Sequence, residues 1–120
     1  MKIWEFTGGS SESASVDFEH ETLIRVMAPA MAPTTAKLVL FETTDPMEVA
    51  DADATWYGPV KYDSGGAIVL QVSDSEASSV AINPARLPLT GRVKLQARAS
   101  DDSEVDQPVS SVIGRAREYR

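Results

Sequence analysis

The chain has 120 residues with no cysteine and a single histidine, is 42% hydrophobic and 24% charged, and carries a formal net charge of −7. That length is one domain's worth, enough to close a core without disulfides or structural metal, and the apolar and charged fractions are those of a globular chain. Lack of cysteine removes disulfide and thiolate chemistry and suits a reducing compartment without excluding export, while an acidic surface repels phosphate backbones, so nucleic-acid binding would need a local basic patch.

Lys2 and Glu5 interrupt the opening Met1-Lys2-Ile3-Trp4-Glu5-Phe6, so no hydrophobic signal core is expected there. No apolar run approaches the roughly 20 residues needed to span a bilayer, and a soluble chain without membrane contact is expected. Residues 2–7 read as the first strand, ended by Gly8-Gly9-Ser10-Ser11, and 8–15 reads as a Gly/Ser turn free to flex. Ala14, Val16 and Phe18 alternate in the next run, and the denser apolar run 23–27 is stopped by Pro29, which lacks a ladder donor. The proline-containing stretch 27–33 is a connection. Strand 37–42 has Leu38 and Leu40 on one face and Val39 and Phe41 on the other, the pattern of a central strand buried on both sides.

Residues 43–55 are polar, acidic and without clean periodicity, and read as a long loop. Trp56-Tyr57 and 60–62 flank Gly58-Pro59, Asp63-Ser64-Gly65-Gly66 supplies a turn, and 67–73 is a strand with Ile68, Leu70 and Val72 to one side. After a short extended piece at 79–82 and an irregular stretch from Asn83 to Gly91 comes the cleanest alternation of all. Val93, Leu95, Ala97 and Ala99 interleave with Arg92, Lys94, Gln96 and Arg98, the period of a half-buried strand. An acidic loop at 101–108 and a last strand at 109–119 close the chain. Eight or nine short antiparallel strands joined by Gly, Pro and Ser turns, with no amphipathic helix and no internal repeat, predict an all-β, single-domain β-sandwich or jelly roll over residues 1–120.

Reactive chemistry is sparse. His20, between Glu19 and Glu21, could serve as ligand or base, yet one histidine without cysteine is a poor transition-metal site, and an exposed turn histidine is the plainer reading. Asp101-Asp102-Ser103-Glu104-Val105-Asp106 offers closely spaced oxygen ligands but lacks the glycine and terminal glutamate of a helix-loop-helix calcium site, so it reads as a solvated loop. No Gly-x-Ser-x-Gly is present, and the Gly-Gly pairs lack a following lysine or helix pattern. Neither an enzyme nor a cofactor is expected. Trp4 with Phe6, or Trp56 with Tyr57, could form a sugar- or partner-binding platform, although core or subunit packing is the ordinary fate of such rings. The stripe Arg92, Lys94, Gln96 and Arg98 reads as a solvated strand face or a contact for an acidic neighbour.

Trp56-Tyr57, Gly65-Gly66, the strand 67–73, and the run Ala81-Ile82-Asn83-Pro84-Ala85-Arg86-Leu87-Pro88-Leu89-Thr90-Gly91-Arg92-Val93-Lys94-Leu95-Gln96-Ala97-Arg98 resemble small virion structural proteins of tailed bacteriophages. Val105-Asp106-Gln107 and Leu23-Ile24-Arg25-Val26-Met27-Ala28-Pro29-Ala30 also resemble their counterparts there, so the likeness spans residues 16–117. Ala28 stands between Met27 and Pro29, and loop 43–55 is longer and more acidic than in that set. The resemblance implies a non-enzymatic capsid decoration or cement protein, made in the host cytoplasm and held on the outer surface of the virion shell. Its partners would be the major capsid protein and further copies of itself, as a homotrimer. On that reading Trp4, Phe6, Arg92, Lys94, Arg98, Arg115 and Arg117 are the candidate subunit or shell contacts. The alternative is a tail- or fibre-associated β module that binds a host-surface glycan through exposed coplanar aromatics beside carboxylates.

Overall fold

The structure, a computed structural model, describes residues 1–82 and 88–118, with the side chains of Glu19, His20, Pro88 and Thr90 left aside. The chain is all-β, with no helix among the described residues. Its strands are β1 (Lys2–Phe6), β2 (Val16–Ala28), β3 (Thr35–Thr43), β4 (Val69–Gln71), β5 (Ser78–Ala81), β6 (Pro88–Ala99) and β7 (Ser110–Glu118). Every pairing is antiparallel, in the order β1-β7-β2-β6-β3-β4, with β5 also on β2.

Strand β2 explains the architecture, because it is long enough to serve in two sheets. Its first part pairs with β6, from Val16 opposite Val93 to Thr22 opposite Pro88. Its second part lies between β7, through Met27 opposite Ile113, and β5, through Met27 opposite Ser79. Register shifts between Phe18 and Glu21 and between Leu23 and Arg25 mark where it changes partners, since an extra residue bends a strand and increases its twist. The result is a sandwich of β5-β2-β7-β1 against β2-β6-β3-β4, eight strand places supplied by seven strands.

The core lies between these sheets. Trp4, Phe6, Phe18, Leu23, Val26, Leu38, Leu40, Leu70, Val93, Leu95 and Val112 are each 2% exposed or less. Trp4 joins the sheets directly: its ring lies 5.7 Å from that of Phe18, and its Nε1 donates to the carbonyl of Val93 at 3.0 Å. Gly114 makes room for it, because a Cβ there would come within 2.6 Å of the Trp4 ring. At Gly91 the backbone takes φ of +83°, open to glycine at no steric cost, where β6 passes Thr43.

The β6 alternation is realised, with Val93, Leu95 and Ala97 turned into the core, and β3 is central, with Val39 buried on its second face as well. Two expectations need correction. The runs at 14–18 and 23–27 are one continuous strand, because bulges rather than a turn absorb the polar residues between them. The 8–15 segment is not a free turn: Ser13 N donates to Leu95 O at 2.9 Å and Ala97 N to Ser11 O at 2.8 Å, so it prolongs the β2–β6 ladder. β6 itself begins at Pro88, ahead of the alternating run. Residues 83–87 of the expected irregular stretch lie outside the described residues.

Candidate functional site

The outward side chains of β6 are covered by the chain's own loops. Arg92, 2% exposed, donates through Nη2 to Asp51 Oδ1 and through Nη1 to Pro46 O at 2.8 Å. Asp51 also accepts from Ser15 N at 2.8 Å and Ser15 Oγ at 2.6 Å. Burial pushes the Asp51 carboxyl upward, but the Ser15 hydrogen bonds and the Arg92 guanidinium outweigh it and hold the group below its ordinary value. Lys94 places its Nζ 2.9 Å from Glu12 Oε2 and 4.4 Å from the centre of the Trp56 ring, while Trp56 Nε1 donates to Asp51 O at 2.9 Å. Farther along, Gln96 Nε2 donates to Glu104 Oε1 at 3.0 Å and Arg98 Nε to Gln96 Oε1 at 2.7 Å. Among the described residues, no buried side-chain nitrogen or oxygen lacks a hydrogen-bond partner.

This geometry removes five of the seven expected contacts from the surface. Arg92, Lys94 and Arg98 do not form a solvated face, because loop 43–57 and Glu12 supply the carboxylates and the aromatic ring that take up the charge of Arg92 and Lys94, while Arg98 lies 3.9 Å from Asp102 and against the Phe41 ring. Trp4 and Phe6 are spent inside this chain's own core. Trp56 is no platform either, since Lys94 and Arg92 occupy its face.

Arg115 and Arg117 are exposed, and they belong to a different surface, the outer side of β5-β2-β7-β1. Across it the register places Ile3 beside Ile113, Ile113 beside Met27 and Met27 beside Ser79, an apolar row crossing three strands and ending on a fourth. Ile3 is 45% exposed. Met27, Ile113, Pro29 and Ala77 line an open groove of about 480 Å³ along this row. Next to it Arg25 stands opposite Arg115, a like-charge cross-strand pair that lowers stability in isolation. Arg25 donates to Ser79 Oγ at 2.9 Å, and none of Arg25, Arg115 and Arg117 has an ion pair among the described residues. Glu5, bonded by Ser111 Oγ at 2.7 Å, is the acid at the β1 end of this face.

Sequence reasoning missed Ile3, Met27, Ile113 and Arg25 as a group. Ile3 and Ile113 do share the outward parity of their strands, but the bulge between Leu23 and Arg25 decides which side Met27 takes, and no sequence pattern announces it.

The remaining candidates separate by geometry. The His20 side chain lies outside the described ones, although its backbone belongs to β2 rather than to a turn. In the acidic loop Asp101 Oδ1 accepts from Ser103 N at 3.0 Å and Ser103 Oγ at 2.6 Å, and Lys37 reaches Asp102 at 2.6 Å. These contacts hold both carboxyls below their ordinary value. Among the described residues no three His, Cys, Asp or Glu side chains gather to hold a metal ion. A small recess of about 210 Å³ lies by Tyr57, which is 62% exposed, and is lined also by Glu42, Thr43 and Thr44. Comparisons with protein-family models, with curated proteins and with solved structures gave no match to this chain.

Proposed function

We propose that the chain is a non-enzymatic structural protein of a bacteriophage virion, a decoration or cement protein that binds the outer surface of the shell as a symmetric oligomer. The carrying observation is the outer face of β5-β2-β7-β1. Its apolar row and three arginines, without ion pairs among the described residues, form a contact surface on a chain of net charge −7, whereas the β6 cations are neutralised within the fold. Apolar area supplies affinity at such a surface, and the charges beside it select an acidic counterpart and a register. The phage assignment itself rests on the sequence resemblance. Purified protein mixed with mature shells lacking it should bind in a fixed ratio to shell subunits and delay their rupture under heat or low salt. Absence of binding would overturn the reading.

A second reading, a tail or fibre module for a host-surface glycan, is favoured by the exposed Tyr57 ring beside Glu42 and Thr44, a stacking face with polar neighbours. Glycan-dependent binding to host cells that Tyr57→Ala removes would select it.

A further inference from the structure

The bare face has a counterpart on the same molecule, at the other side of the sandwich. Loop 43–57 lies over the outward side of β6 and carries Met47, which is 55% exposed, between Asp45 and Glu48. Neither carboxylate has an ion pair among the described residues. This exposed methionine is held in place rather than left on a loose tip. The carbonyl of Pro46 accepts from Arg92 Nη1 at 2.8 Å, Val49 N closes a turn onto Pro46 O at 3.0 Å, and Asp45 Oδ2 accepts from Thr55 N at 2.8 Å. The buried Arg92, paired with the half-buried Asp51, thus fixes a knob made of one flexible apolar side chain flanked by two acids. The opposite sheet offers an apolar groove with Arg25 and Arg115 two residues along β2 and β7 from its Met27 and Ile113.

We infer that the groove on β5-β2-β7-β1 receives the Asp45–Glu48 knob of a second copy of this chain, with Met47 between Met27 and Ile113 and the two acids facing Arg25 and Arg115. The inference rests on the symmetric-oligomer part of the proposed function and needs no shell. Charge decides the mode of contact. A twofold pairing of the groove with itself offers the arginines Glu5 alone, whose carboxylate already accepts from Ser111 Oγ, and a pairing of knobs brings Asp45 and Glu48 only further acids. Groove against knob is the complementary arrangement. Because the two surfaces are different and lie on different sheets, the contact is head-to-tail, and such contacts close into rings when the rotation between copies allows it. A pre-fixed knob also loses little conformational freedom on docking.

Sedimentation velocity on the purified full chain is the test. The wild-type protein should associate as its concentration is raised and dissociate with added salt, since exposed charges are screened. Met47→Asp and Arg115→Glu should each leave a monomer with an unchanged melting transition, and combining Arg115→Glu with Glu48→Arg should restore association. The decisive arm mixes Met47→Asp, whose groove is intact, with Arg115→Glu, whose knob is intact. A head-to-tail contact gives a one-to-one dimer that grows no further. A wild-type chain that stays monomeric, or variants that associate as the wild type does, would overturn the inference. Shell binding by a monomeric wild type would overturn it, and the oligomer part of the proposed function with it, while leaving the decoration role standing. Association of copies that never bind shells would do the reverse.

Discussion

β6 and β7 both present basic side chains outward, and they use them in opposite ways. On β6, Arg92 and Lys94 are 2% and 8% exposed, and each has a carboxylate and the Trp56 ring against it. On β7, Arg115 and Arg117 stand in solvent with like charge across the strand at Arg25. The same residue types at the same spacing therefore stabilise the fold in one place and remain available to a partner in the other. What differs is the cover: loop 43–57 folds over one sheet, and nothing in the described chain folds over the other.

Substitutions can break this contrast. The largest effect belongs to the residue beneath both arrangements. Leu95→Asp places an unpaired carboxylate in the core, where Leu95 is 0% exposed, and should cost more than about 4 kcal/mol and abolish the folded state in chemical denaturation. Arg92→Ala comes next. It strips Asp51 of its guanidinium and leaves the Pro46 carbonyl with Val49 N as its donor, and a loss of about 2–3 kcal/mol is expected, below the range for fully buried pairs because Asp51 keeps contact with solvent. Equal stability of Arg92→Ala and Arg115→Ala in denaturant titrations would dissolve the distinction between the two faces.

The pH dependence sharpens the same point. Asp51 has a folded-state value held below its ordinary one, so its contribution is fully present above the unfolded value, near pH 4, and is lost as pH falls through the folded value. The stability gap between wild type and Asp51→Asn should be flat near neutrality and narrow below about pH 4. A gap that widens on acidification would reverse the sign. Lys94→Ala, which leaves Glu12 able to turn to water, should cost about 1 kcal/mol, and Arg115→Ala should stay within about 0.5 kcal/mol of wild type. Thermal melts of the two variants side by side check that order.

Much of the fold was legible in the residues. The alternation from Arg92 to Ala99 assigns Val93, Leu95 and Ala97 to the core, and the two-faced apolar pattern at 37–42 identifies a central strand. Period-two patterning reports only which residues share a face, however, and not whether that face meets water. Arg92, Lys94 and Gln96 therefore read as solvated, because the groups that bury them come from loop 43–57 and from Glu12 and Glu104, segments with no periodicity to betray where they lie. Trp4 and Phe6 carry the complementary lesson: an aromatic pair on a terminal strand looks like a platform until β7 places that strand over the core. The bare face was legible only at Arg115 and Arg117, since its apolar row is assembled from strands far apart in sequence.

The position of β7 bears on how the sheet can close during folding. The final strand pairs on one side with β1, from Lys2 opposite Gly114 to Phe6 opposite Ser110, and on the other with β2. It is an interior strand of its sheet, so a chain in which β7 has yet to dock lacks a middle rather than an edge. Until it docks, Trp4 and Phe6 have their rings exposed, and contacts of such sequence separation are those that slow folding most. The interval before β7 docks is when the folding chain is most open to aggregation or to a chaperone.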